Sequence, residues 1–205
     1  MQEYLAETDI VDYQHPDIQQ LALKLSESGS ETTAKNCFDW VRDNIRHSSD
    51  YQQNPVTCRA SAVLQHKTGY CFAKSHLLAA LLRANSIPTG FCYQRLSVFD
   101  DGAPYSLHGF NAVYLDAYGW YRLDAQGNKP GVDAQFTPPI ERLAYEINLP
   151  DELDCPYVFA EPLSVVVQTL QNYPTWDEML GNLPDFKQED FSKFTSLPKV
   201  STNIN

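Results

Sequence analysis

The stretch Thr68-Gly69-Tyr70-Cys71-Phe72-Ala73-Lys74 sets a cysteine directly after a glycine turn, at the start of an apolar run ending in Leu81-Leu82-Arg83-Ala84. A helix beginning there gathers unpaired backbone N–H groups and the positive end of its dipole around the sulfur, and both favour a thiolate over a thiol. Lys74, in the first turn, adds positive charge. Further along, His108 stands at the start of one strand-like segment and Asp124 at the end of the next. Such a set supplies a nucleophile, a base that takes and returns its proton, and a carboxylate that orients the base. Gln65, upstream of the cysteine, is a candidate donor that would join the Cys71 backbone N–H in holding a developing oxyanion. The alternatives are ordinary: a cysteine packs readily as a small hydrophobe, and a helical glutamine is commonly solvated.

Several elements must position these groups. Pro16 leads into a helix over Asp17 to about Glu27, with Ile18, Leu21, Ala22 and Leu25 at helical spacing. A second helix, from about Glu31 to Ile45, puts Ala34, Phe38, Val41 and Ile45 on one stripe. Ser61 to Lys67 reads as a short helix ahead of the glycine turn. The cysteine-bearing helix continues with Phe72, Ala73, Leu77, Ala80, Leu81 and Ala84 on or near one face and must stop before Pro88.

After Pro88 the period changes. Thr89 to Phe99 reads as a strand, and His108 to Leu115 and Trp120 to Asp124 form an antiparallel hairpin around a turn at Asp116–Gly119. The even spacing of His108 and Asp124 allows both side chains on one face of that hairpin. A register centred on Asp116 sets them directly opposite, whereas a two-residue turn on Tyr118 sends them to opposite faces. The pattern leaves the register open. Beyond Asn128, Pro162 suits a helix start and Leu163–Leu170 is apolar enough for a buried helix or strand. Thr175 is a candidate cap, and Ser196–Asn205 is expected to be a loose tail.

Competing residues weigh less. His76 is five positions along the helix from Cys71, about 140° round its axis, and faces elsewhere. His66 has no evident carboxylate partner, and His15 and His47 read as surface residues. The five cysteines are widely spaced without a CxxC pair, which argues against a disulfide framework or a zinc site; Cys37, Cys58, Cys92 and Cys155 read as packing residues. A formal net charge of −11 argues against nucleic acid and anionic membranes as partners. The N-terminal Met1–Glu7 lacks the basic and apolar regions of a signal peptide, and no apolar run reaches the length of a membrane span. A cytoplasmic, reducing location is expected.

Gly69-Tyr70-Cys71, Ser75 to Ala84 with Ile87-Pro88, His108-Gly109-Phe110-Asn111-Ala112-Val113-Tyr114-Leu115 and Gly119-Trp120-Tyr121-Arg122-Leu123-Asp124 resemble the transglutaminase-like superfamily, of papain-like fold. Phe38 to Ile45 is similar to the helix that commonly precedes this core. The resemblance spans about residues 34–128. It implies an α+β fold with the nucleophile helix packed on an antiparallel sheet, between helical extensions over 1–33 and 129–205, in a single domain. Carried over by position, it makes Cys71 the nucleophile, His108 the base and Asp124 the orienting acid. Phe110 stands where the family often has tryptophan, so the wall contacts there differ. The chemistry implied is acyl transfer through a thioester on a peptide or protein amide, by hydrolysis, without metal or cofactor. Transamidation, a non-catalytic binding module and a redox-sensing thiol are the alternatives.

Overall fold

The computed structural model describes residues 1–200. Helix α1 (Pro16–Leu25) starts on a proline, where no N–H is needed, and His15 accepts the Asp17 N–H at 3.3 Å. Helix α2 (Ser30–Asn44) runs into a two-residue strand, β1 (Arg46–His47). Helix α3 (Ala60–His66) ends on a left-handed Lys67 and is followed by β2 (Thr68–Gly69), which pairs with β1 in parallel. Helix α4 (Cys71–Ala84) then enters the centre of the molecule, where α1, α2 and α3 pack on it together with the sheet.

The sequence predicts one buried face for α4; the structure buries every residue from Cys71 to Arg83. Helices cover the rest of its surface, so its polar side chains bond internally. Ser75 donates to the Phe72 carbonyl at 2.7 Å, His76 Nδ1 to the Cys58 carbonyl at 2.8 Å, and Lys74 Nζ to the Ile45 carbonyl. Arg83 reaches three carbonyls, those of Ala6, Thr89 and Ala160. A helix buried all round is tolerated only when such groups find partners.

Strands β3 (Thr89–Ser97), β4 (Tyr105–Leu115), β5 (Gly119–Leu123) and β6 (Leu153–Asp154) form an antiparallel sheet in the order β5-β4-β3-β6. The fold is therefore α+β, with the cysteine-bearing helix packed on an antiparallel sheet. Asn111 on β4 donates to the carbonyls of Ser75 on α4 at 3.1 Å and Gly90 on β3 at 3.2 Å, fastening helix to sheet. A smaller apolar cluster of Tyr4, Cys92, Phe110, Ala112, Val158 and Val200 lies apart from the main core.

The segment after Asn128 is built into this frame. It adds β6 to the edge of β3, and Phe159 bridges to Phe91. Helices α5 (Ser164–Asn172), α6 (Trp176–Leu180) and α7 (Gln188–Phe191) follow, so the ambiguous apolar run at Leu163–Leu170 is helical. Thr175 does stand at the N-cap of α6, although its side chain makes no capping bond. The expected loose tail is not loose through Val200: the Val158 N–H donates to the Pro198 carbonyl at 2.9 Å and the Val200 N–H to that of Pro156 at 3.0 Å. Burial of Val200 supplies the apolar contact that holds it there. The rest of that tail, 201–205, lies outside the described residues. Among those residues no helix is long and apolar enough to cross a membrane.

One glycine sets the distance between α4 and β4. A Cβ on Gly109 would lie 2.6 Å from Cδ1 of Phe72, the residue after Cys71. Gly109→Ala is therefore expected to lower stability by about 1–3 kcal/mol through overpacking, measured by chemical denaturation. An unchanged unfolding midpoint would mean that Phe72 moves aside freely.

Candidate active site

Cys71 is the first residue of α4, and Tyr70 before it makes no side-chain cap, so the N–H groups of the first turn have no side chain from that residue competing for them. The sulfur is nearly closed off, with Cys71 4% exposed. Burial alone pushes a thiol pKa up, as it does for Cys37 and Cys155, both raised to about 12, and for Cys58, raised to about 11. Cys92 is also raised by burial. At Cys71 burial is outweighed by the imidazoles beside it, His108 first and then His47, and its pKa falls to about 7. This is the one cysteine of the five whose pKa is shifted down.

His108 lies inside β4, three residues beyond Tyr105, where the strand starts earlier than the sequence pattern suggests. Its Nε2–H donates to Asp124 Oδ2 at 2.7 Å, which leaves Nδ1 as the ring nitrogen that can act on the Cys71 sulfur. Burial opposes charge on this ring, but the Asp124 carboxylate and the Cys71 sulfur overcome it and raise the His108 pKa to about 10. Asp124 is fixed in turn. Its Oδ1 accepts the Gln126 N–H at 3.1 Å, and Oδ2 also accepts the Ala144 N–H at 3.2 Å. Tyr145 sets its ring edge-on to His108 at 5.0 Å between centroids, and Phe110 stacks on it at 5.7 Å. Phe110 thus forms part of the wall at the position where its identity was in question.

The hairpin register is neither of the two alternatives drawn from the sequence. Leu115 pairs with Gly119 and Asn111 with Leu123, leaving a three-residue loop centred on Ala117. His108 and Asp124 share a face, as the even spacing allows, but sit diagonally, with Asp124 one residue beyond the end of β5. The even parity therefore survives without direct opposition.

Other expectations divide. Gln65 is exposed on α3 and makes no side-chain hydrogen bond to the site, and His66 beside it is exposed as well. The helix turns both outward because Val63 and Leu64 take its buried side. His15 caps α1 at the surface, and His76 is buried, its pKa lowered to about 4 by desolvation. Lys74 is not a free cation beside the sulfur. It is 1% exposed, and burial lowers its pKa to about 7 against the pull of Asp124, Asp50, Asp43 and Cys71.

His47 is the residue the sequence reading misplaced. The polar run after it suggests a surface loop, yet the β1–β2 pairing draws it inward opposite Gly69 and leaves it 7% exposed. Its ring lies 4.9 Å from that of Tyr70, and Nδ1 is 3.5 Å from Asp50 Oδ2. A two-residue parallel pairing has no periodicity to read. Beside this wall opens a cavity of about 410 Å³ bordered by Arg42, Arg46, His47, Asp50, Gln126 and Lys129. Among the described residues, no cluster of three or more His, Cys, Asp or Glu side chains is arranged to hold a metal ion.

The profile of the transglutaminase-like superfamily core matches residues 19–125. No curated protein sequence matches the chain. Among solved structures, a candidate cysteine protease from Cytophaga hutchinsonii is 22% identical, with a TM-score of 0.48 over 60% of this chain and 40% of that one. A candidate protease from Parabacteroides distasonis is 13% identical, with a TM-score of 0.41 over 67% of this chain and 30% of the other. A TGase is 17% identical, with a TM-score of 0.41 over 63% of this chain and 34% of the other. The chain thus spans less than half the length of each of these proteins. With just over half of its own 205 residues inside the family match, the chain belongs to the transglutaminase-like superfamily.

Proposed function

We propose that the chain is a cysteine-dependent acyl-transfer enzyme that hydrolyses peptide or amide bonds, with Cys71 as nucleophile, His108 as acid and base, and Asp124 as the residue orienting His108. The observation that carries this reading is the buried thiol of lowered pKa beside an imidazole whose other nitrogen is held 2.7 Å from a fixed carboxylate. The Cys71 thiolate attacks the amide carbon; a C–S bond forms and the carbonyl π pair moves onto oxygen, which the Cys71 backbone N–H can receive. Collapse breaks the C–N bond while His108 passes its proton from Nδ1 to the departing nitrogen. Water then attacks the thioester and gives a proton back to His108, releasing the acid and restoring the thiolate.

Hydrolysis and transamidation differ only in whether water or an amine resolves the thioester. The compact core, with no EF-hand-type calcium loop in its sequence, favours hydrolysis here. The segment around Ala144 and Tyr145 closes over the His108–Asp124 pair, so it is well placed to restrict which substrates enter.

The two pKa shifts fix a pH window. The thiolate forms as pH rises through about 7, and its imidazolium partner is lost as pH rises through about 10. Alkylation of Cys71 by iodoacetamide is therefore expected to rise with a midpoint near pH 7 rather than the ordinary thiol value near 8.5. His108→Ala and Asp124→Asn should each move that midpoint upward by about a unit or more, since each removes positive charge or its support from beside the sulfur. A midpoint indifferent to both substitutions would remove the activated pair from the account.

Turnover separates the chemistries. Denatured casein incubated with the protein and a dansyl-labelled alkylamine should gain new peptide termini or deamidated glutamines, and Cys71→Ser should abolish this. Dansyl incorporation exceeding hydrolysis would favour transamidation. Neither product, with Cys71 still alkylated near pH 7, would favour a binding module.

A further inference from the structure

We propose that His47, backed by Asp50, is the side-chain donor that receives the substrate's oxyanion at this site, a part for which the sequence offered Gln65 as a candidate. The inference rests on the acyl-transfer reading and adds a residue to it. Gln65 is exposed on α3 and leaves that place vacant.

Three independent features of His47 converge. Its backbone is fixed by the β1–β2 pairing opposite Gly69, two residues before Cys71, and its ring lies against Tyr70, the residue in between. Both ring nitrogens are buried and neither has a hydrogen-bond partner. Burying an imidazole edge unpaired costs free energy, and native proteins keep few such groups. A polar atom that arrives only with substrate would remove that cost. The ring also borders the 410 Å³ cavity.

The carboxylate of Asp50, 3.5 Å from Nδ1, biases the proton arrangement. It favours Nδ1–H on its own side, so the donor at Nε2 is that of the doubly protonated ring, whose charge opposes the negative charge growing on the substrate oxygen. Asp50 itself is held in place by Lys129 Nζ at 2.7 Å. The sulfur thus has two imidazoles near it from different elements, and their parts differ. His108 moves the proton. At His47 no covalent bond is made or broken; Nε2–H donates a hydrogen bond that is strongest when the carbonyl oxygen carries full charge. The lowered pKa of Cys71 is consistent with His47 standing beside it.

Two reagents that use the same thiolate isolate this role. Iodoacetamide alkylates by displacing iodide and develops no oxyanion, whereas 4-nitrophenyl acetate acylates through a tetrahedral oxyanion and releases nitrophenolate. The ratio of the two rate constants at Cys71, measured at pH 7.5, therefore reports oxyanion stabilisation after thiolate population has cancelled. For His47→Phe the ratio should fall by about 100-fold, and His47→Gln, which retains an N–H donor, should stay within about tenfold of wild type. A fall of less than tenfold in His47→Phe overturns the proposal while leaving the Cys71–His108 pair intact. An ordinary alkylation midpoint near pH 8.5 in the wild type overturns both readings together. Should His47→Phe fail to fold, His47→Met against His47→Gln makes the same comparison, and equal ratios for those two overturn the assignment.

Discussion

A charged imidazole in a protein interior needs a counter-charge that is itself held still. The hydrogen bond between His108 Nε2 and Asp124 Oδ2, at 2.7 Å with both residues buried, meets that need here. Burial acts against the charged form of His108, and the carboxylate reverses the balance. The carboxylate stays in place because backbone N–H groups of Gln126 and Ala144 bind its two oxygens. The imidazolium then sets the state of the sulfur, lowering Cys71 where burial raises the other four cysteines. Without Asp124 the sequence of dependences breaks at its first step.

The scaffold can be understood as what keeps that bond and the sulfur in register. Asn111 fastens α4 to β3 and β4, and Gly109 lets Phe72 approach the strand that carries His108. The C-terminal segment is tied to the sheet by ion pairs. Arg122 on β5 meets Glu141 and Asp154, and Arg95 on β3 meets Asp185 at 2.6 Å. Those contacts hold the chain that delivers the Ala144 N–H to Asp124 and the Tyr145 ring to His108. Residues after Asn128 therefore shape the site directly, although the proposed triad lies before them.

Much of this was legible in the sequence because the signals were local and periodic. The glycine turn before Cys71, the apolar helix, Pro88 and the alternating strands pointed to the helix-on-sheet core. The parity of His108 and Asp124 was also legible, whereas the three-residue loop that sets them diagonally was not, since turn length was not encoded in the alternation. Gln65 falls on the exposed side of α3, which the sequence could not fix because a short helix does not announce which side faces in. His47 was hidden for a different reason. Two residues of parallel pairing bury it, and a polar neighbourhood at Ser48-Ser49-Asp50 reads as surface. Burial of α4 on every side was not legible either, since the carbonyls that satisfy Lys74, His76 and Arg83 come from distant segments.

The central claim is that Cys71 and His108 exist as a thiolate–imidazolium pair at neutral pH. Nuclear magnetic resonance of protein carrying ¹³C at cysteine Cβ and ¹⁵N in the histidine rings, followed from pH 5 to 11, tests it directly. The account predicts that the Cys71 signal titrates near 7 while the His108 nitrogens keep imidazolium shifts until about 10. A His108 ring that becomes neutral near 6.5, with Cys71 titrating near 8.5, would contradict it.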